Sequence, residues 1–556
     1  MANTEHMPTG SDVLGVPIPF LPHAISVSLP TWDDNAGYAG GEQRIVDTIA
    51  TGYPRFFIHR DTQALAGICE MKFGQPGEKC FLFPSAYIAD AFRQFMINHP
   101  SFPPSPIPVR LVEYAISAKG EDPLELHIAL FQADEFSLSI GMQFWQRTGL
   151  GISSRFASVA LNLLARNGEY TQTHKLQHGP KSENTDKPYG CKGDAMLAKA
   201  TLRQRIAGLI IDDSPPTAEI RGITVSEHDV FLFPTGMAAI WTSHQLLLAV
   251  RPRLMSASFG FASADTMKML ILWGPGDHFF AGGQDAEIDQ LESILQSKSI
   301  SVLFTESTSN PLLRSVNLPR LRKLADQHDF LIVVDETIGS FANVQVLPYA
   351  DIVVTSLSGF FSGKANVMGG SLVLNPRCKH YQTLKSQLEN MYEDNYWWED
   401  ALAMESNSRD FISRMHAINQ TTEFIADFLH AHSSTPSTVL KRVFYPKWET
   451  RAFYDMSRRT SSGTSGFSGL ISLTFTTMAA SQAFFDNLNC AKGPGLGTNF
   501  TLACPYTILM HYREQPLAEV CGVEPGLVRI SVGIEDKEDL LGRVRAALDA
   551  AEATAH

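Results

Sequence analysis

The stretch FLIVVDETIGSFANVQVLPYADIVVTSLSGFFSGKANVMGGSLVLNP (residues 330–376) decides the fold of this chain. It contains short apolar runs with the length and the β-branched composition of buried strands. Three such runs lie at 331–334, 352–354 and 371–374. Strands that are apolar on both faces are typical of a mainly parallel sheet covered by helices.

Polar side chains follow the first two of these runs, where each strand is predicted to end. Asp335 follows the first run directly, and the hydroxyl cluster Thr355, Ser356 and Ser358 follows the second. Ligands of open α/β sheets bind at the carboxyl ends of the strands. A buried carboxylate can hold a protonated ring nitrogen, and clustered hydroxyls can hold a phosphate. The next residue is Gly359, so no amine follows the cluster.

Strand and helix patterns alternate around this stretch. Further short apolar runs lie at 230–233 and 301–304, and helical spacing is found at 235–250, 285–297 and 318–329. Beyond Pro376 the pattern changes to long helices, at 381–392 and 408–432, and a strand-like run at 469–477. This order predicts an α/β protein with a mainly parallel sheet. The predicted regions are an N-terminal segment (1–194) that ends in a polar linker, a large α/β domain (195–378) and a smaller C-terminal α+β domain (379–556).

The bulk composition excludes several classes of function. The 556 residues carry a formal net charge of −13, which argues against nucleic acid or an anionic membrane as the main partner. The seven cysteines are scattered, with no CxxC pair that would indicate a metal site or a disulfide framework. We find no secretory signal and no apolar run of membrane-spanning length. The sequence predicts a cytoplasmic protein without a metal site.

The order of motifs along the chain resembles the Cys/Met-metabolism family of pyridoxal-phosphate (PLP) enzymes, specifically the fungal cystathionine γ-synthases. The resemblance spans nearly the whole chain and is carried by HAISVSLPTW (23–32), GYPRFFIH (52–59), FPTGMAAI (233–240), TESTSNPLLRSV (305–316), VVDETIGSF (333–341), ADIVVTSLS (350–358), NVMGGSLVLNP (366–376) and VRISVGIED (528–536). It implies fold type I, the aspartate-aminotransferase-like fold of PLP-dependent transferases. It also implies a small-molecule substrate, and a homodimer or homotetramer with shared active sites.

The resemblance implies a role for each matching residue. The cofactor-binding positions are Tyr53, Arg55, Gly236, Met237, Asn310, Asp335, Thr337, Ser356 and Ser358. Tyr53 and Arg55 would reach across a dimer interface to the phosphate of the neighbouring subunit. Asp335, supported by Thr337, would pair with the pyridine nitrogen, and Asn310 would contact the ring hydroxyl. Arg529 would bind the α-carboxylate of the substrate in a bidentate fork.

Three positions depart from the family pattern. The lysine that the family links to the cofactor falls on Gly359, so the usual covalent link cannot form there. The aromatic residue that stacks on the cofactor falls on Ser263, and a serine beside the substrate carboxylate falls on Gly495. The nearest amine, Lys364, lies five residues past the required position, and we expect it to be a solvated loop lysine.

These departures leave three hypotheses open. The first is a diverged cystathionine γ-synthase-like enzyme of specialised fungal metabolism, which binds PLP without the covalent link or has lost it. The second is an ordinary γ-replacement enzyme, acting on an O-acylhomoserine, with an engineered lysine-to-glycine change at Gly359. The third is a non-catalytic homologue. Simultaneous change at Gly359, Ser263 and Gly495 favours the first hypothesis.

Overall fold

The computed structural model describes residues 13–54, 56–100, 107–117, 122–170, 192–214, 219–460 and 465–555. The described residues form seventeen strands: β1 (Pro17–Ile18), β2 (Ser26–Val27), β3 (Glu78–Phe83), β4 (Val109–Ile116), β5 (Leu124–Gln132), β6 (Val230–Phe233), β7 (Ser256–Phe259), β8 (Asp277–Phe280), β9 (Val302–Glu306), β10 (Leu331–Asp335), β11 (Ile352–Ser356), β12 (Gly370–Leu374), β13 (Leu440–Phe444), β14 (Leu470–Phe475), β15 (Ala491–Lys492), β16 (Leu502–Pro505) and β17 (Val528–Ser531).

The described residues also form twenty α-helices: α1 (Trp32–Gly40), α2 (Gln43–Val46), α3 (Arg60–Phe73), α4 (Ala86–Asn98), α5 (Glu135–Thr148), α6 (Ser154–Arg166), α7 (Lys192–Ala207), α8 (Gly236–Val250), α9 (Ala264–Trp273), α10 (Asp285–Leu295), α11 (Leu318–His328), α12 (Ser340–Asn343), α13 (Tyr381–Met391), α14 (Trp398–Asn407), α15 (Phe411–Ser433), α16 (Arg451–Ser457), α17 (Met478–Asn487), α18 (Tyr506–His511), α19 (Gln515–Val520) and α20 (Lys537–Glu552). Short 3₁₀ turns lie at Glu227–Asp229, Leu347–Tyr349 and Ala553–Ala555.

The large sheet contains seven strands in the order β6-β12-β11-β10-β9-β7-β8. Only β12 runs antiparallel to its neighbours β6 and β11, and the other pairings are parallel. The predicted mainly parallel sheet is therefore confirmed. The strands at 230–233, 331–335 and 352–356 lie where the apolar runs indicated, within two residues at each end.

Both faces of the large sheet are buried, which explains why its strands are apolar throughout. In β10, Ile332 and Val334 face one hydrophobic cluster, while Leu331 and Val333 face another. This alternation follows from the two-residue period of a strand. The second cluster also contains Phe83 of β3, so the N-terminal region packs against one face of the large sheet.

The N-terminal region contains two structurally different parts. Residues 60–166 form a three-stranded antiparallel sheet, in the order β3-β5-β4, covered by α3 to α6. Residues 13–54 instead pack against the C-terminal sheet, whose strand order is β13-β14-β17-β16-β15. The backbone N–H of Leu29, for example, donates to the carbonyl of Lys492 (2.9 Å). The predicted boundaries at 194/195 and 378/379 stay predictions, and most of the predicted linker lies outside the described residues.

None of the described helices combines the length and the apolar character needed to cross a membrane.

A buried ion pair joins the end of β10 to the chain before β6. Arg221 Nη1 donates to Glu336 Oε1 (2.6 Å), and both side chains are at most 2% exposed.

Replacing Arg221 by Met would leave the Glu336 carboxylate buried without its counter-charge. We expect the free energy of unfolding to fall by about 3–5 kcal/mol, measured by urea denaturation. The matched control, Arg44→Met, breaks an ion pair with Glu42 that is more than half exposed. It should change stability by about 0–1 kcal/mol. Equal losses in the two variants would show that burial adds nothing to the cost of breaking the pair.

Candidate active site

The ends of three adjacent parallel strands form the floor of the candidate site. β9 ends at Glu306, β10 at Asp335 and β11 at Ser356. The register pairs Asp335 with Glu306 on one side and with Val354 on the other, so β9 and β10 end at the same level and β11 runs two residues further, to Ser356. A cavity of about 270 Å³ opens at this edge. The structure thus brings Asp335 and Ser356 together, as their positions after apolar runs indicated.

Asp335 is held by the residues that follow it. The backbone N–H of Thr337 donates to Asp335 Oδ1 (2.8 Å), and Thr337 Oγ1 accepts from the backbone N–H of Ser356 (2.8 Å). Thr337 therefore fixes the carboxylate and also ties the ends of β10 and β11 together. Burial raises the pKa of Asp335 to about 6, because the hydrogen bonds from Thr337 offset only part of the cost of a buried negative charge.

The start of α8 lies against the end of β11. Thr235 caps the helix by accepting a hydrogen bond from the backbone N–H of Ala238 (3.0 Å). A Cβ atom on Gly236 would lie 2.7 Å from the Cβ of Ser356, so only glycine allows this approach. The uncapped N–H groups of the helix and the Ser356 hydroxyl therefore line one end of the cavity, where an anion is favoured.

Met237 and Ser358 also line the cavity, as predicted. The Ser358 hydroxyl is already engaged, because it donates to the carbonyl of Gly369 (3.4 Å) and accepts from its N–H (3.1 Å). Ser358 therefore braces the loop after β11 more than it faces a ligand.

Arg529, in β17, lies on the opposite wall of the cavity. Its guanidinium donates to Asn310 Oδ1 (3.2 Å) and to the carbonyl of Gly495 (2.6 Å), and it lies over the ring of Tyr506. The conformation of Gly495, with φ of +122°, would strain a serine at this position. Glycine therefore lets its carbonyl turn toward Arg529. Asn310 and Arg529 thus contact each other and both line the cavity, while their predicted contacts with the cofactor and the substrate stay predictions.

Gly359 lines the cavity beneath the loop at 493–497. A Cβ atom at this position would lie 3.0 Å from the carbonyl oxygen of Leu496 and 3.1 Å from its Cδ1. Lys364 is exposed and does not line the cavity. No lysine at all is found among the described residues of the cavity wall.

Tyr53 lines the cavity of its own chain. Its predicted reach across a subunit interface stays a prediction, and Arg55 lies outside the described residues. Ser263 also lines the cavity, and its backbone N–H donates to Glu306 Oε1 (2.7 Å).

Several residues of the site were not found from the sequence. Glu306 accepts hydrogen bonds from the backbone N–H groups of Ser263 (2.7 Å) and Asn310 (3.2 Å), so it orders two loops of the wall. Glu306 follows an apolar run, as Asp335 does, so its position at the carboxyl end of a strand could have been predicted in the same way. His23, and the ion pair of Arg155 with Asp400 (2.9 Å), gave no local signal, since their partners are more than 100 residues away.

Comparison with known proteins identifies the family. Residues 219–549 match the model of the Cys/Met metabolism PLP-dependent enzymes. Residues 61–153 match that of the fungal trans-sulfuration enzyme N-terminal domain. The chain is 45% identical to the cystathionine gamma-synthase-like enzyme iboG2 of Amanita muscaria, over 97% of this chain and 96% of that protein. It belongs to the Cys/Met metabolism family of PLP-dependent enzymes.

Two further comparisons agree with this assignment. The cystathionine gamma-synthase of Neurospora crassa is 36% identical, over 97% of this chain and 98% of that protein. The crystal structure of the cystathionine gamma synthase of Xanthomonas oryzae has a TM-score of 0.52 at 21% identity, over 64% of this chain and 98% of that chain. This structural likeness confirms the predicted fold type I. The chain is thus a cystathionine gamma-synthase-like enzyme of the transferase and lyase type, with pyridoxal phosphate as cofactor.

The residues of the cavity fit the family's cofactor. Its phosphate matches the start of α8, where the contact of Gly236 with Ser356 leaves backbone N–H groups open to an anion. Its protonated ring nitrogen would supply the positive charge that the buried Asp335 lacks. The two features lie at adjacent strand ends, β11 and β10, as one small ligand with both groups requires.

The raised pKa of Asp335 predicts how the cofactor-free protein responds to pH. The folded state keeps this proton up to about pH 6, whereas an unfolded aspartate releases it near pH 4. Between these values the unfolded state binds fewer protons, so the contribution of Asp335 to stability is lost as the pH rises. Asp335→Asn removes this titration.

We therefore expect the stability of Asp335→Asn relative to the wild type to increase from pH 4 to pH 6 and then level off. The gain is on the order of 1–3 kcal/mol, since one pKa unit is worth about 1.4 kcal/mol. Urea denaturation of both cofactor-free proteins across this pH range measures it. A constant difference between the two proteins would show that Asp335 titrates normally.

Proposed function

We propose that this chain is a diverged cystathionine γ-synthase-like enzyme of specialised fungal metabolism. It binds pyridoxal phosphate without the usual covalent link and acts on an amino-acid-derived small molecule. The proposal is supported by one cavity that keeps groups suited to the cofactor and the substrate but has no lysine in its described wall. The described wall retains a half-buried carboxylate whose pKa is raised by desolvation, an anion-binding helix start and a buried arginine.

The retained groups support a catalytic site over an idle one. A buried carboxylate without a counter-charge is costly, and a buried arginine needs its partners. Both are kept at the cavity, where Asp335 and Arg529 face a ligand from opposite walls. A pocket that had lost its ligand would gain stability by replacing them with apolar residues. The non-catalytic alternative therefore has less support.

Different side chains of the cavity bind different parts of the cofactor and the substrate. Asp335 holds the ring nitrogen in its protonated form, and the bound ring supplies an electron-accepting system that stabilises negative charge on the substrate carbon. The start of α8 and Ser356 hold the phosphate. Arg529 binds the α-carboxylate of the substrate, and Asn310 fixes the orientation of its guanidinium. Tyr53, together with Arg55, is proposed to reach across a dimer interface to the phosphate of the neighbouring subunit. The assembly is proposed to be a cytoplasmic homodimer or homotetramer.

Restoring a lysine tests whether Gly359 is the position of the missing link. A side chain at Gly359 meets Leu496 at 3.0–3.1 Å, so it fits if Leu496 moves by a few tenths of an ångström. We expect Gly359→Lys with pyridoxal phosphate to gain the visible absorption band of a lysine-linked cofactor. Borohydride reduction should then fix the cofactor to residue 359, as read by mass spectrometry. The matched control, Gly359→Ala, has the same contact without the amine and should gain neither signal.

The wild type distinguishes the remaining hypotheses. We expect it to bind the cofactor reversibly and to lose it on dialysis, without a covalent product after reduction. Covalent labelling of a wild-type lysine would overturn the proposal, because another amine then makes the link. Absence of binding would favour the non-catalytic homologue. Efficient γ-replacement of O-acetylhomoserine by Gly359→Lys alone would favour an ordinary enzyme with an altered residue.

A conservative change of Arg529 tests the substrate clamp. Lysine keeps the positive charge but cannot form a bidentate fork. For Arg529→Lys we expect the dissociation constant of an amino-acid ligand to rise roughly 10- to 100-fold, while cofactor affinity stays within about twofold. The exposed Arg513 lies outside the cavity wall, and Arg513→Lys serves as the control. Calorimetric titration measures both affinities. Equal loss of cofactor and ligand would indicate that Arg529 supports the whole cavity instead.

A further inference from the structure

The proposed function needs a residue that transfers protons at the substrate carbon, and no residue has yet been assigned to this role. The assignment that follows rests on the proposed function. Chemistry at an amino-acid carbon requires a group that takes a proton from the carbon and returns it. In this family the lysine does this, and Gly359 cannot. The replacement must be a titratable side chain of the cavity wall with an atom that is not already hydrogen-bonded.

Most titratable groups of the described wall fail this requirement. Both oxygens of Glu306 accept backbone hydrogen bonds, and Asp400 is paired with Arg155. Asp335 is reserved for the ring nitrogen. His59 accepts at Nδ1 from the backbone N–H of Asp61 (3.2 Å) and bonds through Nε2 to the carbonyl of Pro22 (3.0 Å), so both of its ring nitrogens are engaged.

The remaining groups are also held by neighbours or are poor bases. The Tyr506 hydroxyl donates to the carbonyl of Asn310 (3.4 Å). The ring of His511 packs between Phe261 and Tyr506, with Nδ1 4.0 Å from Glu514. Tyr53 offers only a phenol, a group that is largely protonated near neutral pH. Elimination over the described wall leaves His23.

His23 has one engaged nitrogen and one open nitrogen. Its Nδ1 lies 3.0 Å from Ser154 Oγ, at the first turn of α6. Among the described residues no hydrogen bond reaches its Nε2, although that atom is not sealed from solvent. His23 lines the cavity, and in the tautomer in which Nδ1–H donates to Ser154, Nε2 carries the free lone pair. Burial and the nearby Arg155 lower the pKa of His23, so the imidazole is uncharged near neutral pH and takes up a proton only at a cost in free energy, which negative charge on a bound ligand would reduce.

The chain around His23 joins the two loops that flank the substrate position. The backbone N–H of Ile25 donates to the carbonyl of Ala365 (2.8 Å), in the loop that follows Gly359. Ser26 Oγ donates to the carbonyl of Pro494 (2.6 Å), next to the Gly495 carbonyl that binds Arg529. This segment is therefore anchored to both loops.

The charges around His23 change when the cavity is filled. The rings of His23 and His59 lie 6.0 Å apart, and Arg155 and the start of α6 both disfavour a protonated imidazole. The loop that leads to α6 begins at Gly149, whose carbonyl accepts from Thr235 Oγ1 (3.1 Å) beside the phosphate end. A bound phosphate brings negative charge into this field and makes protonation of His23 less costly.

We propose that His23, positioned by Ser154, is the group that moves protons at the substrate carbon in place of the family's lysine. The bond between the α-carbon and its hydrogen breaks, and the proton goes to His23 Nε2. The electron pair stays on the substrate carbon, where a cofactor ring held by Asp335 would supply an acceptor for it. The reverse transfer restores the neutral imidazole, so no further reactant is consumed.

Deuterium exchange tests this role. Wild type with pyridoxal phosphate and O-acetyl-L-homoserine in D₂O is expected to replace the α-hydrogen by deuterium, followed by proton NMR. His23→Gln keeps a donor for Ser154 but has no base, and its exchange rate should fall by at least about 100-fold, while its cofactor affinity stays within about twofold. The control is His228→Gln at an exposed position outside the cavity wall, which should exchange like wild type. Exchange by His23→Gln within about fivefold of wild type would overturn the proposal.

A second measurement on wild type does not depend on activity or on the folding of a variant. Diethyl pyrocarbonate modifies neutral, accessible imidazoles, and mass spectrometry locates the product. We expect His23 to be modified in the cofactor-free protein and protected by pyridoxal phosphate with O-acetyl-L-homoserine. An unmodified or unprotected His23, or a wild type without exchange, would overturn this inference. The proposed function fails by a different result, namely no binding of pyridoxal phosphate by wild type.

Discussion

The register of β9, β10 and β11 at their carboxyl ends is the constraint on which the site depends. Parallel pairing places Glu306 beside Asp335, and the hydrogen bond from Ser356 N–H to Thr337 Oγ1 ties the end of β11, two residues further along, to the chain that follows Asp335. A slip of one residue in either pairing would turn Asp335 toward the opposite face of the sheet. Apolar packing on both faces makes such a slip costly, so the core of the sheet also sets the geometry of the cavity.

Glycine supplies the close contacts that the rest of the wall requires. Gly236 lets the start of α8 touch Ser356, and Gly495 lets a carbonyl reach Arg529. These two contacts act on opposite walls. The first opens backbone donors to an anion, whereas the second gives a buried guanidinium a hydrogen-bond acceptor in the absence of a ligand. In the proposed function, Arg529 would exchange this carbonyl for the carboxylate of the substrate and so would stay paired throughout.

The sequence predicted the parts of the fold and site that depend on local pattern. The strands of the large sheet were visible as apolar runs where both faces are buried, as in LIVVD of β10. β7 and β8, with the sequences SASF and DHFF, were missed because they lack a continuous apolar run. Asp335 and Ser356 were found because they end such runs. The pairing of Arg155 with Asp400 could not be predicted, since tertiary packing joins residues 245 positions apart.

Under the proposed function, the absence of a covalent link changes what holds the cofactor in this cavity. In a lysine-linked enzyme the cofactor stays bound between turnovers whatever the charge of its surroundings. In the proposed site, the fit would rest on the start of α8 for the phosphate and on Asp335 for the ring nitrogen. Asp335 contributes fully only when it is ionised and the ring nitrogen is protonated. Its raised pKa therefore couples cofactor binding to pH. A site that binds its cofactor in this proposed way would exchange it with solution, and the concentration of free cofactor would set its resting state.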